Sequence, residues 1–259
     1  MKQLYSKRRI IYTLYISVII LFFSQCNQPK QQLYPQQSKN EYLRVITDST
    51  HKSNAKVETM IRPYRDKMEA DMNEVVGFSN AEMQKSKPSG ALNNIVSDMM
   101  LDVISKKSDV DIDFCLINYG GLRRPLPKGE LLKSDIFQLM PFQNEAVLVK
   151  VNPEGMKNLF KYLYLSGGQP VSDLKVVFND SANFDARIKN QAWDSTRSYW
   201  ILTSDYTANG GDRMDFFSQK DSTILTGQLI RNAIFTYLDS LQNNNLVLEK
   251  DTVSRIIFK

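Results

Sequence analysis

Twice in this chain an apolar, strand-like run breaks into a polar loop built around a glycine pair. Asp113 to Ile117 leads into Asn118-Tyr119-Gly120-Gly121-Leu122-Arg123-Arg124, and Tyr199 to Thr203 is followed by Asp205-Tyr206-Thr207-Ala208-Asn209-Gly210-Gly211-Asp212. The pairing asks for strands that end in tight turns, because glycine lets the backbone turn and approach a ligand closely. Asn118 offers an amide that both donates and accepts, and Arg123 a planar fork suited to carboxylate, phosphate or a polar ring edge. Read alone, the first loop is equally well a tight turn with a solvated arginine. Its spacing is neither that of a dinucleotide fingerprint nor that of a Walker loop. In the second loop, Asp212 can accept two hydrogen bonds from a vicinal diol, and the Tyr206 ring can stack on a heterocycle. Phe142, in Leu139-Met140-Pro141-Phe142-Gln143, is a second aromatic at a proline-fixed turn. Core packing explains any one of these rings at least as well.

The remaining elements follow from apolar periodicity. Strands are expected at Tyr42 to Ile46, Val75 to Phe78, Asp113 to Ile117, Gln143 to Val151, Leu174 to Phe178, Tyr199 to Thr203 and Val253 to Phe258. Val57, Met60, Ile61, Tyr64 and Met68 recur at helical spacing, with Pro63 either kinking that helix or sitting in its first turn. Leu92, Ile95, Val96, Met99 and Val103 form a second helical stripe. A third helix opens at Pro153-Glu154-Gly155 and closes at Gly167-Gly168, and a fourth is expected over Thr226 to Leu241. A looser stretch is expected between Asn179 and Arg197. Strands and helices alternate irregularly, without repeats or a run of β-α-β units, which predicts an α+β fold with sheets covered by helices.

Residues 1–25 carry Lys2, Lys7, Arg8 and Arg9, no acid, and the apolar run Ile10 to Phe23. The run is too short and one-sided for a permanent membrane span and reads as an export signal. Cys26 follows directly and is placed to be lipidated, although Gln25 stands where the bacterial lipoprotein pattern usually has a small residue. The alternative is an ordinary secretory signal with Cys26 incidental. Residues 26–40, rich in Gln, Pro and Lys, read as a tether, and residues 41–259 as the folded domain. Taking away the first 25 residues removes four of the 33 basic and none of the 28 acidic side chains, so the formal charge falls from +5 to +1. A near-neutral chain without a concentrated basic tract gives little support to binding a nucleic-acid polymer. With Cys26 lipidated, Cys115 has no partner for an internal disulfide and is expected to be buried and inert.

Taken in order, Ala91-Leu92-Asn93-Asn94-Ile95-Val96-Ser97-Asp98, Asn118 to Arg123, Leu139-Met140-Pro141-Phe142, Ser166-Gly167-Gly168 and Tyr199 to Asp212 resemble the C-terminal, substrate-binding domain of the 5'-nucleotidases. The resemblance runs from about residue 41 to about residue 245 and implies a four-layer α-β-β-α sandwich. It also implies that Phe142 and Tyr206 sandwich a nucleobase, with Tyr206 standing where Phe is common. Asn118 would meet the base or its neighbouring polar groups, with Gly120 and Gly121 beside it in the same loop. Arg123 would reach toward the ribose or phosphate, and Asp212 would hold the ribose hydroxyls. Three positions depart from the family pattern. Tyr119 stands where Gly is usual, Pro88, with Lys85 and Lys87 nearby, stands where another arginine is common, and Arg213-Met214 replaces Gly and an aromatic.

Hydrolysis in that family uses two metals held by a separate N-terminal domain, and such chemistry needs a dense ligand set. The only histidine here is His51, in a polar loop. Asp109, Asp111 and Asp113 read as a solvated strand entry sooner than as a Mg²⁺ site. The chain is therefore expected to bind a nucleoside or nucleotide and no metal of its own. Both divalent metals would come from a separately made metallophosphatase subunit, and a lipid anchor would hold the chain on the periplasmic side of a membrane. Alternatives are a stand-alone nucleotide-capturing salvage protein and a structural module that has lost its ligand.

Overall fold

The computed structural model describes residues 54–259. The expected export signal and tether, Cys26, His51 and the strand expected at Tyr42 to Ile46 lie outside the described residues. The first half contains α1 (Ala55–Met72), β1 (Val75–Ser79), α2 (Ala91–Ser105), β2 (Phe114–Leu116), β3 (Gly129–Leu132), α3 (Lys133–Leu139) and β4 (Glu145–Val151). The second half contains α4 (Pro153–Leu165), β5 (Val171–Ser172), β6 (Leu174–Phe178), β7 (Phe184–Ile188), β8 (Gln191–Ala192) and β9 (Tyr199–Ser204). It ends with α5 (Asp205–Ala208), β10 (Lys220–Leu229), α6 (Ile230–Asn243) and β11 (Ile256–Phe258). Among the described residues the strands form a two-stranded sheet, β1-β3, a five-stranded sheet, β10-β4-β9-β2-β5, and a four-stranded sheet, β11-β6-β7-β8.

The inner strands of the five-stranded sheet, β4, β9 and β2, are buried on both faces, and strand alternation divides their side chains between two cores. Phe114, Leu116, Val147, Val149, Val151 and Ile201 point into one core, while Cys115, Ala146, Leu148 and Leu202 point into the other. A strand covered on both sides reads as a continuous apolar run, which is why Ala146 to Val149 shows no polar alternation. Leu92, Val96 and Met99 of α2 and Ile234 and Leu238 of α6 close the second of these cores. Leu159, Phe160 and Leu163 of α4 close the first, together with Val176, Phe178, Ala186 and Ile188 from the four-stranded sheet. Each of the Val, Leu, Ile, Phe and Met side chains among them contributes about 1.5–3 kcal/mol when fully buried.

The ends of α4 follow the signals read from sequence. Asn152 caps its start by accepting the Gly155 N–H at 2.9 Å, with Pro153 in the first turn. At its end the Gly167 N–H reaches the Tyr164 carbonyl and the Gly168 N–H reaches the Leu163 carbonyl, the paired bonds of a Schellman close.

Elsewhere the structure differs from expectation. The stretch between Asn179 and Arg197 contains β7 and β8, and in β7 the alternation of buried Ala186 and Ile188 with exposed Asp185 and Arg187 is a two-sided strand pattern. The last long helix starts at Ile230, not Thr226, because Thr226 to Leu229 finish β10. β10 is an edge strand whose first six residues are all exposed, so no buried face marks it in sequence. Pro63 lies inside α1, and the apolar stripe of that helix is exposed among the described residues, Tyr64 at 77%.

Candidate functional site

Sheet order brings three separated segments to one place. β2 and β9 are parallel neighbours, so the loops that follow them leave the sheet at the same end. β4 is antiparallel to β9 with Ala146 opposite Ser204, which sets the residues entering β4, Phe142 to Asn144, at that end as well. Ligands of open sheets gather at the carboxyl ends of parallel strands for this reason.

The first loop is a single 3₁₀ turn, Tyr119–Gly121, fixed from several sides. The Tyr119 N–H donates to Gln169 Oε1 at 2.7 Å, and the Arg123 N–H donates to the Leu139 carbonyl at 2.9 Å. Lys85 Nζ donates to the Leu122 carbonyl at 2.6 Å and to that of Tyr119 at 3.3 Å, and it stands 4.4 Å from the centre of the Tyr119 ring. Lys87 donates to the Ser166 carbonyl and also faces that ring, at 5.2 Å. The two lysines near the usual arginine position are thus engaged in bracing the loop, and Tyr119 is the plate they brace. Burial lowers the Lys85 ammonium below its ordinary pKa, and the neighbouring Arg123 charge adds to the shift.

The second loop opens with Ser204 capping α5 through the Thr207 N–H at 3.1 Å. It then passes through left-handed backbone at Gly210 (φ 88°), Asp212 (φ 54°) and Arg213 (φ 62°). A side chain in that region costs about 1–2 kcal/mol. Arg213 is exposed, so Arg213→Gly relieves the cost without opening a cavity. The variant is expected to unfold at equal or slightly higher denaturant, with a gain of up to about 1 kcal/mol.

Asn118, Gly120, Gly121, Arg123, Phe142, Tyr206 and Asp212 all line one cleft of about 210 Å³. Asn144 joins them, a residue that the sequence reading passed over. Its signal was an amide two positions beyond Phe142, in the same proline-fixed turn. Asn118 Nδ2 donates to Asp212 Oδ2 at 2.7 Å, and the Tyr206 hydroxyl donates to Asp212 Oδ1 at 2.9 Å. The glycine pair is what lets the loops meet, because a Cβ on Gly120 would stand 3.1 Å from Asp212 Oδ2 and one on Gly121 only 2.8 Å from Asn118 Oδ1. Beneath them the Tyr162 hydroxyl donates to the Asp212 carbonyl at 3.0 Å and accepts from Gln169 Nε2 at 3.3 Å. Burial, with Asp212 and Tyr206 nearby, pushes the Tyr162 pKa up to about 12, so it remains a donor at neutral pH.

Two features make the cleft a candidate binding surface. Phe142 and Tyr206 are 49% and 46% exposed, apolar area that the fold has not covered. The Arg123 guanidinium lies 5.1 Å from the Phe142 ring centre, a cation held over an aromatic face. The volume is below the roughly 300–1,000 Å³ of sites that enclose a whole ligand, so it suits a ring and its polar substituents, with the rest of the molecule outside.

The three acids before β2 do not form such a site. Asp113 is buried, accepts the Trp200 N–H at 2.7 Å and pairs with Arg197, while Asp111 pairs with Lys189. Among the described residues no group of three or more His, Cys, Asp or Glu side chains converges to hold a metal ion. Cys115 is fully buried, which raises its thiol pKa well above the usual value and leaves it unreactive.

Strand-end loops thus join exposed rings, an arginine and a fixed carboxylate in one cleft, a candidate small-molecule site. The chain belongs to the family described as "5'-nucleotidase, C-terminal domain", whose sequence pattern matches residues 68–219. Protein UshA of Escherichia coli (strain K12) is 22% identical over 204 residues, covering 75% of this chain and 36% of its own length. The 5'-nucleotidase precursor of Thermus thermophilus superposes with a TM-score of 0.66 at 20% identity, over 78% of this chain and 42% of that one. The Haemophilus influenzae NAD nucleotidase superposes with a TM-score of 0.60 at 15% identity, over 81% of this chain and 42% of that one. This chain therefore spans well under half the length of these relatives. At such identities the superpositions speak for the fold alone.

Proposed function

We propose that this chain is the substrate-binding part of a 5'-nucleotidase, holding a nucleoside or nucleotide while a separately encoded metallophosphatase supplies the two divalent metals and the attacking water. The observation that carries this reading is the convergence of two exposed aromatic rings, Asp212, Asn118 and Arg123 on one cleft from three distant segments. In this reading Phe142 and Tyr206 sandwich the base and Asp212 accepts the ribose hydroxyls. Arg123 swings from the Phe142 face toward the sugar or phosphate. A cleft that encloses only part of a ligand leaves the phosphate outside, where a second protein reaches it. The sequence holds a single histidine, and the described residues do not offer a ligand set for a dimetal centre, so no bond-breaking step is assigned to this chain.

The family resemblance adds the four-layer α-β-β-α arrangement to this reading, supported by the burial of the inner strands of the five-stranded sheet on both faces. The basic, apolar leader and Cys26 support export and a lipid anchor on the periplasmic side of a membrane.

The mature chain is expected to bind adenosine or AMP in calorimetry. Loss of one stacking plate removes about 1–3 kcal/mol, so Tyr206→Ala should weaken binding by roughly 5- to 150-fold, and Asp212→Ala should weaken it as well. Mixed with the metallophosphatase, the chain should raise phosphate release from nucleotides above that of the partner alone. Equal activity of the partner with and without this chain would refute the complementation.

A further inference from the structure

We infer that the Tyr206 hydroxyl is a positioning group that holds Asp212 ready for a vicinal diol, and that it makes the cleft prefer ribose over 2'-deoxyribose. The inference rests on the proposed reading of the cleft and adds to it a role for the one atom by which Tyr206 differs from phenylalanine. That hydroxyl does two things at once: it donates to Asp212 Oδ1 at 2.9 Å and accepts the Asp212 main-chain N–H at 3.3 Å. Together these bonds close a ring around a residue whose backbone is left-handed, a conformation that persists only where surroundings hold it. Asn118 Nδ2 fixes the other carboxylate oxygen at 2.7 Å.

The carboxylate is therefore oriented but not saturated. An ionised carboxyl group has about four lone-pair sites, and the protein fills two of them, one on each oxygen. One site remains free on each oxygen, which matches the two O–H donors of a vicinal diol. An exposed carboxylate without these braces would have to give up rotamer freedom on binding, and that cost would offset much of the gain from a second hydroxyl. The ring itself is held independently of the hydroxyl. It lies so close over Gly211 that a Cβ there would fall 2.5 Å from the ring carbons. Removing the oxygen should leave the stacking wall in place and free only the carboxylate.

The test compares adenosine, uridine and their 2'-deoxy counterparts on the full chain and on Tyr206→Phe by calorimetry. A hydrogen bond to a charged acceptor is strong enough that the wild type should prefer the ribonucleosides by about tenfold. Tyr206→Phe should bind deoxynucleosides as the wild type does and lose most of that preference. The inference is overturned if the variant keeps the full preference, or if it loses both classes of ligand equally, which would mark the hydroxyl as merely structural. A wild type that binds nucleosides without distinguishing the sugars defeats this inference and leaves the proposed function standing. A wild type that binds neither these nucleosides nor AMP defeats both.

Discussion

Replacing Arg255 with alanine should lower the unfolding free energy by about 3 kcal/mol, the low end of the cost of breaking a buried ion pair. Its guanidinium, 15% exposed, forms a fork with both oxygens of Asp98 at 2.7 Å each. It also reaches Asp251 Oδ2 and the Val171 carbonyl, both at 2.7 Å. One side chain thereby ties the entry to β11, the middle of α2 and the edge strand β5. Without it, Asp98 and Asp251 face each other with no cation between them. Their side chains keep 32% and 28% exposure, so water softens the loss and the low end of the range applies. For a domain of this size the change corresponds to roughly 6–12 °C in melting temperature. Arg255→Lys should fall between, because an ammonium cannot span two carboxylates as a planar fork does. Acid titration offers a second measurement. Burial pushes the Asp251 carboxyl up, but the Val253 N–H, the Arg255 guanidinium and the Asn94 amide together outweigh it and hold the pKa below the ordinary carboxylate value. A depressed carboxylate contributes stability that is complete above the unfolded-state value near ~4 and is lost as pH falls through the folded value. In Arg255→Ala that loss on acidification should be smaller, which comparison of melting curves at about pH 6 and about pH 3, on either side of that value, would show. Equal slopes for both proteins would argue against the triad.

The parts of this molecule that could be read from sequence are those whose signal is local. The glycine loops, the Pro153 start and Gly167-Gly168 end of α4, and the two-sided apolar run at Ala146 all write their physics within a few residues. The cleft could be anticipated because its walls lie in such motifs, and the resemblance supplied their order. Three kinds of feature were hidden. The exposed edge strand β10 has no buried face in its first six residues, so it carries no alternation to detect. The Arg255–Asp98 pair joins residues 157 positions apart, and the Asn118–Asp212 bond joins residues 94 apart, distances over which a sequence gives no pairing rule. Lys85 and Lys87 show the third kind. They lie near a position where arginine is common in the family, but packing against the Tyr119 ring, at a position usually held by Gly, gives both another partner. Where a family position changes, its neighbours' roles change with it, and only the packing tells which.

Gly168→Ala should be at least as damaging as the arginine change, with a loss of about 3 kcal/mol or more, because strain and collision add at one site. Gly168 has φ 95°, where L side chains are rarely found, and a Cβ there would stand 2.5 Å from the Pro88 carbonyl oxygen. The obstacle is backbone, so no rotamer change relieves it. Gly167 gives the internal comparison. It too is left-handed, φ 71°, but its nearest neighbour would be Lys87 Cδ at 3.7 Å, an ordinary contact with the end of a flexible chain. Gly167→Ala should therefore cost only the conformational part, about 1–2 kcal/mol. The larger change also reaches the cleft, since the next residue, Gln169, holds the Tyr119 N–H with its oxygen and the Tyr162 hydroxyl with its amide. Pro170 then accepts the Ile117 N–H at the end of β2. Any shift of Gly168 away from Pro88 is passed to both glycine loops, one through Tyr119 and the other through Tyr162 and Asp212. Denaturant unfolding of both variants separates strain from collision. Nucleoside titration at a temperature where Gly168→Ala is still folded should show weakened binding that Gly167→Ala does not share. If the two variants lose equal stability and bind alike, the Pro88 contact does not constrain the turn, and Gln169 is not the link between helix end and cleft.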